Sequence, residues 1–180
     1  LTSNTASVAV KAEATAKDDV TLKAEVGSVA IDGAVTTKVG SVIAMAKTAV
    51  TTTADVKAKK DVTLTSTKGI ITTDGAVTAE TGNIEAKANG NVTTNAALSA
   101  VQGAISLTSN TASVAVKAEA TAKDDVTLKA ESGSVAIDGA ATSTAGSVTA
   151  TAKTEVTTTA DVKANKDVTV TSTEGAISTS

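Results

Sequence analysis

Residues 1–25, LTSNTASVAVKAEATAKDDVTLKAE, recur letter for letter at 107–131. Over 1–74 against 107–180, 60 of 74 positions are identical, which sets a long repeat of 106 residues. Fixed-period repetition constrains the fold strongly, because each unit must bury its apolar face against its neighbours. Inside the long repeat lies a shorter one. Apolar dyads follow Gly, Asp, Asn or Ser, and their first residues fall into triplets: Val8, Ala14, Val20; Val29, Val35, Val42; Val50, Val56, Val62. Later triplets are led by Ile71, Val92, Val114, Val135 and Val156, with Ile177 opening the last. Leaders stand 21 residues apart except for 22 between Val92 and Val114, and four steps of 21 plus one of 22 make 106.

A second inward residue follows each leader at i+2, as in Val8/Val10, Val20/Leu22, Val29/Ile31, Val62/Leu64 and Ile105/Leu107. That alternation is strand period, and segments this short between Gly or Asp corners are not helices. Three short strands per 21 residues make a three-sided coil. The expected fold is therefore all-β: a single-stranded parallel β-helix, or β-solenoid, of about eight and a half coils, continuous over 1–180 with no linker. Differences between the long copies agree with this register. Expected inward positions change conservatively (Val35/Ala141, Leu64/Val170, Thr37/Ser143), whereas expected outward ones turn polar or lose charge (Ile43/Thr149, Met45/Thr151, Lys59/Asn165).

Two kinds of coil alternate. Those led by Val29, Ile71 and Val135 turn on glycines (Gly33 and Gly40, Gly75 and Gly82, Gly139 and Gly146), and those led by Val8, Val50, Val114 and Val156 turn on Asp19, Asp55 with Asp61, Asp125, and Asp161 with Asp167. Glycine reaches positive φ without steric cost and Asp bonds its own backbone, so both are expected as corner residues. The extra residue of the 22-residue step is expected to loop outward near 110–113.

Composition narrows function. His, Cys, Pro, Phe, Tyr, Trp and Arg are all missing. Catalytic triads, Cys/His pairs and zinc sites need residues that are not there, and base-stacking platforms need aromatics. A net charge of −3 argues against a nucleic-acid backbone as partner. The apolar runs are far shorter than the roughly 20 residues of a membrane span. No catalytic, cofactor-binding or metal-binding residue is expected, and the chain reads as a non-enzyme without cofactor.

The runs Gly82-Asn83-Ile84-Glu85-Ala86, Gly90-Asn91-Val92-Thr93-Thr94, Gly103-Ala104-Ile105-Ser106-Leu107 and Gly146-Ser147-Val148-Thr149-Ala150 resemble the shaft repeats of filamentous haemagglutinin-like, two-partner-secreted bacterial exoproteins. The resemblance covers essentially the whole chain. It implies a right-handed parallel β-helix in a long surface or secreted protein that serves as an adhesin stalk. Spacing alone leaves the hand open. The left-handed hexapeptide solenoid would need three spacings of six where this chain keeps one, and its acyltransferase members rely on a His that is absent here.

Three surface features invite a binding role. Lys17, Lys38 and Lys59 fall one coil apart with Lys57 beside them, a row suited to an acidic or sulfated glycan. The second copy breaks it with Lys123, Thr144 and Asn165. Outward T-x-T pairs (Thr51/Thr53, Thr63/Thr65, Thr149/Thr151, Thr157/Thr159, Thr169/Thr171) suggest ice binding, but the third face runs through Ile43/Met45 and Glu85/Lys87, which roughen the ladder. Asp18/Asp19 and Asp124/Asp125 lack the glycine-rich calcium nonapeptide and read as corners. Asn91-Val92-Thr93 is formally a glycosylation sequon whose centre faces inward.

The pattern starts and stops in mid-coil, so the expectation is a stretch of a longer repetitive chain. The function expected is a structural shaft, an adhesin stalk or extracellular fibre at a bacterial surface. The alternative is a surface-binding solenoid recognising glycan or ice through its Thr/Lys face. Expected partners are adjacent coils of the same chain, end-to-end or lateral self-association, and cell-surface glycans; nucleic acid and membrane spans are not expected.

Overall fold

The computed structural model describes all 180 residues. It is an all-β solenoid: 26 short strands lie in three parallel sheets of nine, eight and nine strands, and every strand pairs with its equivalents in adjoining coils. The first sheet holds three- and four-residue strands such as Val8–Val10, Ala49–Thr52 and Val92–Thr94. The second holds three-residue strands such as Val35–Thr37 and Leu98–Ala100, and the third holds five-residue strands such as Val62–Ser66 and Ile105–Ser109. The expected register is the observed one: Ile71 pairs with Val50 and Val92, Val77 with Val56 and Leu98, and Val62 with Val42 and Ile84.

Strand length fixes how many side chains reach the axis. Each full coil turns two residues inward from the first sheet, two from the second and three from the third, as in Val50/Thr52, Val56/Ala58 and Val62/Leu64/Ser66, all buried. The 40 buried apolar residues form one cluster running from Val8 to Val156. Burying each Val, Ile or Leu side chain contributes about 1.5–3 kcal/mol. Repetition lets small residues suffice where a globular core would want aromatics, since each coil needs only to cover the next. The conservative pairs behave as inward residues: Val35 and Ala141 are fully buried, as is Leu64 to within a percent. Ile43 and Met45 stand outward and half-exposed.

Corner lengths explain the two kinds of coil. Between the second and third sheets the corner has three residues (17–19, 59–61, 123–125, 165–167) or four (38–41, 80–83, 101–104, 144–147). Between the third and first sheets, counted up to the leading inward residue (Val50 and Ile71 in the two strands that begin one residue early), it is four where the other is three, and three (47–49, 89–91, 153–155) where the other is four, so each sum is seven. The coil led by Val92 is the exception, with four at 101–104 and four at 110–113, which makes the 22-residue step. No residue loops outward there. Corner 110–113 sits on its neighbour as 67–70 does: Asn110 N donates to Ala88 O and Thr111 N to Asn89 O, matching Thr67 N to Ala46 O and Lys68 N to Lys47 O. Five coils cannot alternate two kinds evenly, and one coil with both long corners absorbs the mismatch.

The corner glycines serve a purpose other than the expected one. No residue in the chain, glycine included, has positive φ. A Cβ on Gly33, Gly75 or Gly139 would instead collide with the backbone of Ala12, Ala54 or Ala118 in the coil below. Close approach of stacked coils, rather than a left-handed turn, demands glycine here.

Candidate functional site

The side chain just before each third-sheet strand forms a ladder along one corner. Asp19 Oδ1 accepts from Ser41 N at 2.7 Å, Ser41 Oγ from Asp61 N at 3.3 Å, Asp61 Oδ1 from Asn83 N at 2.8 Å, and Asn83 Oδ1 from Ala104 N at 2.8 Å. Ala104 interrupts it, and the ladder resumes with Asp125 accepting from Ser147 N at 2.8 Å. Asp19, Asp61 and Asp125 therefore act between coils, not only within their own turn. The aspartates expected at corners are corner residues, and no group of three or more acidic side chains is poised to hold a metal ion.

The lysine row lies at the neighbouring edge, where Lys17, Lys38 and Lys59 each open a corner in successive coils. Its next member is Glu80. The Glu80 carboxylate takes Lys59 Nζ and Lys57 Nζ at 2.9 Å each, one oxygen apiece. Hydrogen bonds from Lys59 and Lys57, then their charge, pull the Glu80 pKa from 4.5 down to about 2. The cationic row thus ends in a clamp that neutralises part of it. Glu80 was legible as the residue 21 after Lys59, and following the lysines alone missed it. In the second copy Lys123 Nζ donates to Gln102 Oε1 at 2.7 Å, and Lys163 pairs with Asp161 at 2.6 Å within its own coil. That pairing lowers the Asp161 pKa and raises that of Lys163.

The T-x-T pairs fall in two settings. On the third sheet Thr63 lies between Ile43 and Glu85, and Thr65 between Met45 and Lys87, so the ladder is interrupted as the sequence indicated. On the first sheet Thr53 and Thr159 reach the corner and donate to Asp32 and Asp138 of the coil below, at 3.0 and 3.1 Å. Asn91 likewise spends its Oδ1 on Ser113 N at 3.0 Å, and Val92 between it and Thr93 is fully buried.

A shallow groove recurs where the third sheet turns into the first. One, of about 240 Å³, is walled by the Lys23–Glu25 ion pair, Met45, Thr65 and Thr67. The other, of about 320 Å³, is walled by the Lys129–Glu131 pair, Thr151, Lys153 and Thr173, one long repeat away. In both, counted to the leading inward residue, a spacing of three (47–49, 153–155) lies between two of four. The rim differs: Lys153 is bridged to Glu174 at 3.5 Å, where the first copy has Lys68 in place of that acid.

Eight hydroxyl side chains are buried, and four of them find a backbone partner. Thr37 Oγ1 donates to Gly40 O at 2.7 Å, Ser109 Oγ to Gly90 O at 2.8 Å and Ser143 Oγ to Asp124 O at 2.6 Å, while Ser66 Oγ accepts from Gly69 N at 3.2 Å. Thr52, Thr73 and Thr94, stacked in successive first-sheet strands, have Oγ1 atoms with no partner. No helix is long and apolar enough to cross a membrane. Compared with protein-family models, curated proteins and solved structures, the chain matches none.

Proposed function

We propose that the chain is a non-catalytic structural shaft, part of an adhesin stalk or extracellular fibre of a long, repetitive bacterial surface or secreted protein. The observation that carries this reading is the single unbroken core, 40 buried apolar residues along one axis, where the two long copies differ only by conservative exchanges while the surface changes polarity and charge. Stiffness and length are what such a core supplies. The resemblance to filamentous haemagglutinin-like shaft repeats supports the bacterial and extracellular part of the reading. Small-angle scattering of residues 1–180 tests it: a rigid rod roughly 40 Å long, at about 4.8 Å per coil, is expected. A flexible or compact particle overturns the shaft, and length that grows with concentration favours the fibre form.

The alternative, a surface-binding solenoid, draws on the paired grooves, which are of a size for one sugar ring and have hydroxyl and charged rims. Glycan-array binding abolished by Lys23→Ala with Lys129→Ala would establish that reading over a bare shaft. Its ice form has no unbroken threonine face to rest on, given Ile43, Met45, Glu85 and Lys87.

A further inference from the structure

The three unpartnered threonines are consecutive. The second inward residue of the first sheet runs Val10, Ile31, Thr52, Thr73, Thr94, then Val116, Ile137 and Thr158, so each long repeat carries two apolar coils followed by threonine coils. Thr52 is fully buried, and Thr73 and Thr94 are buried to within a percent. Local geometry explains why their hydroxyls find nothing. The first-to-second-sheet corner is always three residues, and its leading N–H groups go to the threonine carbonyl one coil below: Asp74 N and Gly75 N to Thr52 O at 2.7 and 2.9 Å, Asn95 N and Ala96 N to Thr73 O at 2.8 and 3.2 Å, and Lys117 N alone to Thr94 O at 2.8 Å. At the other two corners, by contrast, Thr37, Ser66, Ser109 and Ser143 reach a backbone partner.

We propose that the stretch from Val50 to Thr94 is a built-in yielding zone of the rod, the place where coils part first under heat, denaturant or axial load. Threonine and valine have nearly the same shape, so packing and register are kept. What differs is a desolvated hydroxyl in each of three successive coils, whose burial is repaid as soon as the coil opens to water. Local opening is governed by such differences, and strands with lower local stability exchange their amides through smaller fluctuations. The zone recurs with the 106-residue period, giving a shaft stiff apolar segments and softer threonine segments in alternation. The inference rests on the fold and stands whether or not the shaft reading does.

Amide exchange followed residue by residue by NMR on residues 1–180 tests it. A uniform rod frays from its ends, so its central coils, which include Ile71–Thr73 and Val92–Thr94, would be the best protected. The proposal expects the reverse: protection there roughly tenfold or more below that of Val114–Val116 and Val135–Ile137, an unpartnered buried hydroxyl being worth about a factor of ten. Thr52→Val with Thr73→Val and Thr94→Val should raise the central protection above the flanks and raise the melting temperature, and Val116→Thr should extend the weak zone by one coil. Protection that already peaks in the centre, or a triple variant that leaves exchange unchanged, overturns the proposal.

Discussion

Asp61 accepts a hydrogen bond from the backbone N–H of Asn83 at 2.8 Å, and Asn83 does the same for Ala104 one coil further on at the same distance. An acid and an amide thus perform one task, because what the corner requires is an acceptor oxygen and not a charge. Asp61→Asn should leave thermal stability nearly unchanged. Asp61→Ala should cost about 0.5–1 kcal/mol, the worth of one exposed hydrogen bond. Equal melting of the alanine and asparagine variants would show that water replaces the side chain fully.

Glycine substitutions should divide by what lies beneath. A Cβ on Gly75 meets the Ala54 backbone and one on Gly69 lands on the Thr48 carbonyl, whereas one on Gly90 comes no closer than 3.1 Å to any atom. Gly75→Ala and Gly69→Ala should each destabilise by about 1–3 kcal/mol as neighbouring coils are forced apart. Gly90→Ala should cost clearly less. Denaturant melts of the three variants side by side provide the comparison.

Val92 is fully buried midway along the core, paired between Ile71 and Val114. Val92→Asp places a lone carboxylate where no cation can reach it, and should cost about 4 kcal/mol or more. Limited proteolysis should then cut near the middle of the rod. Unchanged melting would refute the inward register at this position.

Glu80 gives the surface a small acid sensitivity of known sign. Its folded pKa is depressed from 4.5 to about 2 by Lys59 and Lys57, so the stabilisation is fully present above pH 4.5 and is lost as pH falls toward 2. The clamp is solvent-exposed and screened by salt, so the effect is modest. Melting temperatures of the parent and Glu80→Gln should differ at pH 6 in low salt and converge near pH 2.

Most of the fold was legible because one rule is applied many times. Val50, Ile71 and Val92 occupy equivalent positions in successive coils, so an error in register at one would contradict all the others. The partners of Glu80 and the grooves beside Lys23 and Lys129 were less visible, since they depend on which outward side chains meet across coils. The glycines misled for a physical reason. Gly33 suits a left-handed turn and a tight stack equally well in sequence, and only the position of Ala12 beneath it distinguishes the two. The absent outward loop at 110–113 has a similar origin: the length of a corner has meaning only relative to the corner opposite.

Three-residue and four-residue corners exchange places from coil to coil, and the coil led by Val92 breaks the exchange once per 106 residues. In the language of diffraction, the backbone is a grating with a single strand spacing, about 4.8 Å, while the outer surface is a modulated lattice that returns to itself only after five lines, at about 24 Å. An even number of coils would have closed the pattern after two. Any molecule that reads the outside of this rod meets the coarse spacing, although the core keeps only the fine one.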